Sequence, residues 1–315
     1  MTAGRVGRDE VAAVRPVVRV GAPTERRNPH SLDLDLMSTR DVLTVINEAD
    51  RRVPGAVAAV LDEIAETVDL AVAALRAGRR VHYFGAGTSG RLGVLDAAEL
   101  APTFNSPRHW FCAHLAGGPE AMWRAVEDAE DDERGGAAEA GECVRPGDLV
   151  VGLAASGRTP YVLGALAASR ARGAGTVLLC ANPEADAAAS VDVFIGVDTG
   201  PEVVTGSTRM KAGTAQKLVL NTFSTAVMVR LGRVYSNLMI DMMATNAKLR
   251  GRMISILMEA TGCAEEVCRI ALREADGDLK TALVALVSGA EVPAARAALA
   301  RAADQVRGAL ALLAS

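Results

Sequence analysis

Aromatic side chains are scarce in this chain, 3% of 315 residues, and no basic stripe or recognition-helix motif accompanies them. Proteins that read nucleic acid rely on such features, so that class of partner is excluded. Cysteines are few, odd in number and unpatterned (Cys112, Cys143, Cys180, Cys263, Cys268). They fit reduced thiols in a cytoplasm, not a disulfide framework. Cys263 and Cys268 have no metal-ligating neighbours, and His30, His82, His109 and His114 share no spacing that suggests a metal site. No apolar run approaches the ~18 residues of a membrane span. Met1–Pro23 carries scattered Arg, Asp and Glu without an apolar segment, so it reads as a disordered extension and not a secretory signal.

Half of the residues are apolar and the net charge is only −4, the balance of a soluble globular protein. The length suits one large domain, or one domain with a helical appendage. Residues 24–35 form a polar arm interrupted by Pro29. Ser38 followed by Asp41 marks a helix start, and a helix to Asp50 follows. Pro54 opens a longer helix through Leu75 that Gly78 ends. Strands are expected at Val81–Phe84, His109–Leu115, Asp148–Leu153, Thr176–Ala181 and Val191–Val197. Helices are expected from Gly90, over Glu120–Glu127 and after Pro160. Strands alternating with helices predict a parallel sheet covered on both faces, an α/β fold of three layers. Long helices follow at Thr208–Leu231 and Asn237–Glu259. A small C-terminal helical bundle should then contain Ala264–Glu274, Leu279–Val287 and Pro293–Leu313. The expected division is residues 1–23 as extension, 24–259 as the α/β domain with its N-terminal helices, and 260–315 as the bundle.

Two short stretches carry the chemistry. Gly85–Gly90 (GAGTSG) and Gly152–Pro160 (GLAASGRTP) each follow a buried strand and turn through Gly, Ser and Thr into a helix. Such a turn aims unpaired backbone N–H groups, hydroxyls and the positive helix end at one point, which suits a phosphate. The first loop also satisfies the dinucleotide pattern G-x-G-x-x-G. That reading needs an acidic residue about 20 positions on to hold a ribose, and Asn105–Trp110 offers none. Thr88 and Ser89 suit a phosphate monoester better, so a nicotinamide cofactor is disfavoured.

GAGTSGRLG, LAASGRTPYV and VVTGSTRMKAGTAQKLVLN (Val203–Asn221) resemble the N-acetylmuramic acid 6-phosphate etherases, a branch of the sugar isomerase (SIS) fold. The glucokinase regulatory proteins, which bind sugar phosphates without turning them over, are similar but more distant. The resemblance implies a SIS-type parallel sheet flanked by helices. The implied substrate is an amino-sugar phosphate with a D-lactyl ether on C3, the products N-acetylglucosamine 6-phosphate and D-lactate. It implies no cofactor and no metal, a cytoplasmic location, and a homodimer with shared sites. Carried over residue by residue, Thr88, Ser89 and Gly90 form the first phosphate loop, and Ser156, Gly157, Arg158 and Thr159 the second. Many SIS proteins have a serine two positions before the Ser156 equivalent. Here Ala154 stands there, which shifts binding towards backbone N–H groups, Ser156 and Thr159.

Cleaving an unactivated ether is easiest by elimination, which needs a general acid and a general base. Glu99 and Glu130 match the family's two functional glutamates. Glu99, after the apolar run Leu92, Val94, Leu95, Ala97 and Ala98, is expected to have a raised pKa and to protonate the departing lactyl oxygen. Glu130 lies in the acidic run Glu127–Glu133, which by composition alone reads as a solvated face; the resemblance gives it acid/base work at ring opening or C2. Lys248 is a further candidate base. Arg91, Arg158, Arg209 and Lys211 are candidate partners for an anionic substrate, and Met239, Met242 and Met243 read as core or dimer interface. Ser89 and Glu99 would stand ~15 Å apart on a straight helix. Either the helix breaks near Gly93, or Glu99 serves a site completed by another chain, and the second is expected. A non-catalytic sugar-phosphate sensor and an aldose–ketose isomerase are the rival readings.

Overall fold

The computed structural model describes residues 21–242 and 247–314; residues 1–20 of the expected extension and Met243 lie outside the described residues, while Ala22 is buried and Pro23 opens a 3₁₀ turn, so residues 22 and 23 belong to the ordered arm. Five parallel strands form the central sheet: β1 Val81–Gly85, β2 Phe111–Leu115, β3 Leu149–Leu153, β4 Gly175–Cys180 and β5 Val193–Gly196. Their order is β2-β1-β3-β4-β5, with Gly85 beside both Leu115 and Leu153. Strands β1 and β3 are buried along their whole length, as expected of strands with helices on both faces. In this order the chain reverses direction across the sheet between β1 and β3. A crevice therefore opens beyond the C-terminal ends of those two strands.

One face of the sheet is covered by α3 Leu61–Arg76, α4 Gly87–Phe104 and α7 Lys211–Arg230, which share a core containing Tyr83, Leu100, Val151, Val219 and Phe223. The buried Asp96 fixes α4 in this layer, accepting hydrogen bonds from Tyr83 Oη on β1 (2.9 Å) and Ser224 Oγ on α7 (3.0 Å). The other face is covered by α5 Glu133–Cys143 and α6 Pro160–Ala171. The N-terminal arm consists of short 3₁₀ turns. It is held to the loop before α7 by Asn28 Nδ2 to Pro201 O (3.3 Å) and Ser31 Oγ to Val203 O (2.7 Å).

Ser38 caps α1 (Thr39–Asp50) as expected. The helix expected from Pro54 to Leu75 is two helices, α2 (Val53–Ala58) and α3, with the break at Ala59–Val60. The helix expected over Glu120–Glu127 is a 3₁₀ turn, Pro119–Met122, followed by an irregular loop. Trp123 and Val126 are exposed there, so a helix would have no apolar face to bury, and the acids from Glu127 onward would crowd its negative end. Helix α5 was not expected, because ERGGAAEAGEC has almost no apolar stripe. Its small residues serve close packing instead: a Cβ on Gly136 would lie 2.0 Å from Tyr161 O, and one on Gly164 2.1 Å from Glu133 O.

After α7 comes a two-stranded hairpin, β6 Val234–Tyr235 with β7 Leu238–Met239, where a helix was expected from Asn237. Ser236, at φ 54°, makes the left-handed turn that a helix cannot contain. Helices α8 (Ala247–Thr261), α9 (Glu265–Glu274), α10 (Leu279–Ser288), α11 (Val292–Arg301) and α12 (Val306–Ala314) follow. They share a second core with the hairpin, in which Met242 is buried and Met239 half-buried. The helix expected over Pro293–Leu313 is thus α11 and α12, split where Ala303 and Asp304 take positive φ and Asp304 pairs with the buried Lys280 at 2.6 Å.

Candidate active site

Both Gly/Ser/Thr loops open into the crevice beyond β1 and β3. Gly85 and Gly90 meet backbone to backbone at the end of β1. A Cβ on Gly90 would lie 2.5 Å from Gly85 O, and one on Gly85 2.7 Å from Gly90 Cα. Only glycine permits this contact, which drops Thr88 and the buried Ser89 directly into the first turn of α4. No side chain caps the N-terminus of α4, so its first N–H groups face the crevice. The second loop bends at Gly157, φ 74°, where a Cβ would meet Ala185 Cβ at 2.7 Å. Gly157 N–H donates to Ala154 O (2.9 Å) and Arg158 N–H to Ser156 Oγ (3.3 Å). These bonds leave the hydroxyl protons of Ser156 and Thr159 as donors. Ala154 itself is buried at the strand end.

Glu130 and the first loop come together. A cavity of about 220 Å³ is lined by Gly87 and Arg91 on one side and by Ala121, Val126, Glu127 and Glu130 on the other. Arg91 builds this wall: its guanidinium donates to Met122 O (3.3 Å) and Arg124 O (3.2 Å), tying α4 to the loop that carries Glu130. Arg91 is therefore a fastener of the site in this structure. Arg158 pairs with Asp186 at 2.8 Å, while its buried Nε has no partner. The acidic run is solvated as its composition suggests, yet its loop closes over the mouth of β1.

Glu99 stands apart. Helix α4 runs unbroken through Gly93, so about 15 Å of helix separates Ser89 from Glu99. Glu99 is exposed, which corrects the expectation of an apolar setting. Its apolar neighbours Leu92, Ala97 and Leu100 turn into the core, whereas Leu95, one turn before Glu99, is 52% exposed. Lys248 falls within α8 by its backbone, and its side chain lies outside the described residues. Arg209 is exposed. Lys211 is buried, donating through Nζ to Thr199 O (2.5 Å), while the buried Glu202 accepts from the N–H groups of Lys211 and Ala212 at the start of α7. Lys211 thus serves the fold and a separate cavity beside Asn28, His30 and Arg52. His82 is buried on β1 as expected, and its ring meets His114, a contact that sequence spacing did not show.

Known proteins share both the sequence and the fold. The chain is 60% identical over 273 residues to the N-acetylmuramic acid 6-phosphate etherase of Thermobifida fusca, covering 87% of this chain and 90% of that protein. It is 52% identical over 288 residues to the protein of the same name from Cutibacterium acnes, covering 91% and 94% respectively. Residues 63–170 match the family model of the glucokinase regulatory protein N-terminal SIS domain. A phosphoheptose isomerase structure from Francisella tularensis matches at a TM-score of 0.50 and 16% identity, over 61% of this chain and 100% of that one, a likeness of fold. The sheet of five parallel strands, the paired loops at its crevice and 60% identity across most of a curated relative place the chain in one group: it belongs to the N-acetylmuramic acid 6-phosphate etherase family.

Proposed function

We propose that the protein is a carbon–oxygen lyase of the hydro-lyase type that cleaves the D-lactyl ether of N-acetylmuramic acid 6-phosphate, giving N-acetylglucosamine 6-phosphate and D-lactate in the cytoplasm. The observation that carries this reading is the cavity in which Glu130 faces Gly87 and Arg91, the residues on either side of Thr88–Gly90. The 6-phosphate is held by Thr88, Ser89 and Gly90 at the start of α4 and by Ser156, Gly157, Arg158 and Thr159 before α6. Two positive helix ends and their hydroxyls supply the compensating charge. The opened sugar presents an aldehyde that acidifies the C2 hydrogen. Glu130, beside the phosphate loop, does the acid/base work at ring opening or C2, and Lys248 is a further candidate base. Glu99 protonates the lactyl oxygen as the C3–O bond breaks and then activates the water that adds to C3. A positioned acid or base contributes roughly 10²–10⁴ in rate. Nothing in these steps calls for a redox cofactor.

Glu99 acts on a neighbouring subunit. Its place on an exposed face of α4, beside Leu95 and about 15 Å from Ser89, supports a homodimer in which each chain lends Glu99 to its partner's phosphate loops. Incubation with the substrate in heavy-oxygen water tests the reaction. Elimination followed by water addition places the label on C3 of the amino sugar. Label in lactate means attack on the lactyl carbon, and no lactate at all supports a sugar-phosphate sensor or an isomerase.

A further inference from the structure

On the sheet face opposite α4, three side chains distant in sequence converge. His82 Nδ1 on β1 lies 3.0 Å from His114 Nε2 on β2, and Cys143 Sγ on α5 lies 3.7 Å from that same Nε2. One ligand atom from each residue falls within 4.8 Å of the others. The outer nitrogens are engaged as well: His82 Nε2 faces Asp148 Oδ2 (3.3 Å) and His114 Nδ1 faces Glu139 Oε1 (2.9 Å). When both outer nitrogens donate to these carboxylates, the inner Nδ1 of His82 and Nε2 of His114 bring two lone pairs within 3.0 Å of each other. Something positive must lie between them. Either one extra proton does, or a cation does.

We propose that His82, His114 and Cys143 bind a divalent cation of the zinc class, at a site separate from the sugar-phosphate crevice. Tetrahedral zinc with its usual bond lengths needs ligand separations of about 3.3 Å between two nitrogens and about 3.6 Å between nitrogen and sulfur. The observed separations are 3.0 and 3.7 Å, and Cys143 Sγ also lies 4.0 Å from His114 Nδ1, beside the ring, so the thiol and the His114 imidazole must turn for both to meet one ion. Asp148 and Glu139 then act as the carboxylates that orient metal-bound histidines and fix their tautomers. Asp148 is itself anchored by the N–H groups of Arg80 (2.9 Å) and Arg145 (2.7 Å), and Glu139 by Tyr161 Oη (2.5 Å). The Cys143 thiol now donates to Glu139 O (2.8 Å); binding replaces that bond, releasing the thiol proton and the proton between the rings to solvent. The fourth position is filled by water. Such a cation would tie the edge strand β2 to α5, the helix that follows the loop bearing Glu130.

Burial lowers the His82 pKa to about 4, with the neighbouring His114 adding to the effect. Burial also pulls on His114, but hydrogen bonds with Cys143 and Glu139 outweigh it and hold it at about 9. A shared proton on His114 is accordingly the competing occupant.

The test uses the full-length protein, reduced, stripped with a chelator and titrated with Co²⁺ and then Zn²⁺. The proposal predicts one equivalent of Co²⁺ per chain with a thiolate-to-cobalt absorption band, displaced by Zn²⁺, and proton release on binding. Cys143→Ser should abolish the band, and His114→Gln should weaken Zn²⁺ binding by about tenfold or more. Nitrogen NMR of the unmutated protein gives a reading independent of any variant: Zn²⁺ should shift the His82 and His114 ring signals and erase the imidazolium. No thiolate band, a band that survives Cys143→Ser in a folded variant, or an imidazolium unchanged by Zn²⁺ would overturn the proposal in favour of the proton.

Discussion

Gly90→Ala should damage the site far more than the fold. An added Cβ would sit 2.5 Å from Gly85 O and 2.4 Å from Leu115 Cδ1, against an ordinary contact of at least 3.4 Å. Leu115 can rotate away, but the Gly85 carbonyl belongs to β1 and cannot. The first turn of α4 must therefore retreat by about 0.9 Å, carrying Thr88 and Ser89 with it. Overpacking of this kind costs about 1–3 kcal/mol of stability. A displacement of about 1 Å at a binding group costs about 10²-fold in rate. Lactate release measured across substrate concentrations should show kcat/KM down about hundredfold, with a melting temperature only a few degrees lower. Gly55→Ala, on α2 with open space around its Cβ, is the control and should leave both unchanged or slightly raise stability. A folded Gly90→Ala protein with kcat/KM within twofold of the parent would refute the reasoning.

Mixing Ser89→Ala and Glu99→Ala subunits, each inactive alone, should restore activity as hetero-dimers form; confirmed hetero-dimers without lactate release would place Glu99 and Ser89 in the same subunit's site. Burial raises the Asp96 pKa from 3.8 to about 6, against the opposing hydrogen bonds from Tyr83 and Ser224. The folded state thus holds this proton more tightly than the unfolded chain, and stability falls as pH rises from about 4 to 6. Asp96→Asn should gain about 2–3 kcal/mol relative to the parent over that window, read as parallel denaturant melts at pH 4 and pH 7.5; a gap independent of pH would contradict it. Glu130→Gln should lower kcat by about 10²-fold or more while the phosphate still binds, and an unchanged kcat would remove Glu130 from the chemistry.

The Gly/Ser/Thr loops and the five strands were legible because buried parallel strands read as unbroken apolar runs, and Gly, Ser and Thr punctuate their ends. Helix α5 was illegible for the opposite reason. Close contact with α6 demands Gly136 and Gly164 and removes the apolar stripe that marks a helix. The apolar letters before Glu99 misled because successive helical residues turn by about 100°, so neighbours in sequence do not share a face. The hairpin at Val234–Met239 hid behind residues compatible with a helix, and only the left-handed Ser236 distinguishes it. The pairing of Glu130 with Gly87 depends on where the loop after β2 folds back, which no local pattern states. His82, His114 and Cys143 lie in three separate elements, and only the strand register makes them neighbours.

The central claim is that the loops after β1 and β3 grip one phosphate. A crystal structure of the protein with N-acetylglucosamine 6-phosphate tests it most directly. The account predicts the phosphorus atom between Ser89 and Ser156, both hydroxyls within hydrogen-bond distance of its oxygens, with the sugar extending towards Glu130. A phosphate held by one loop alone, with the other turned to a different crevice, would contradict it.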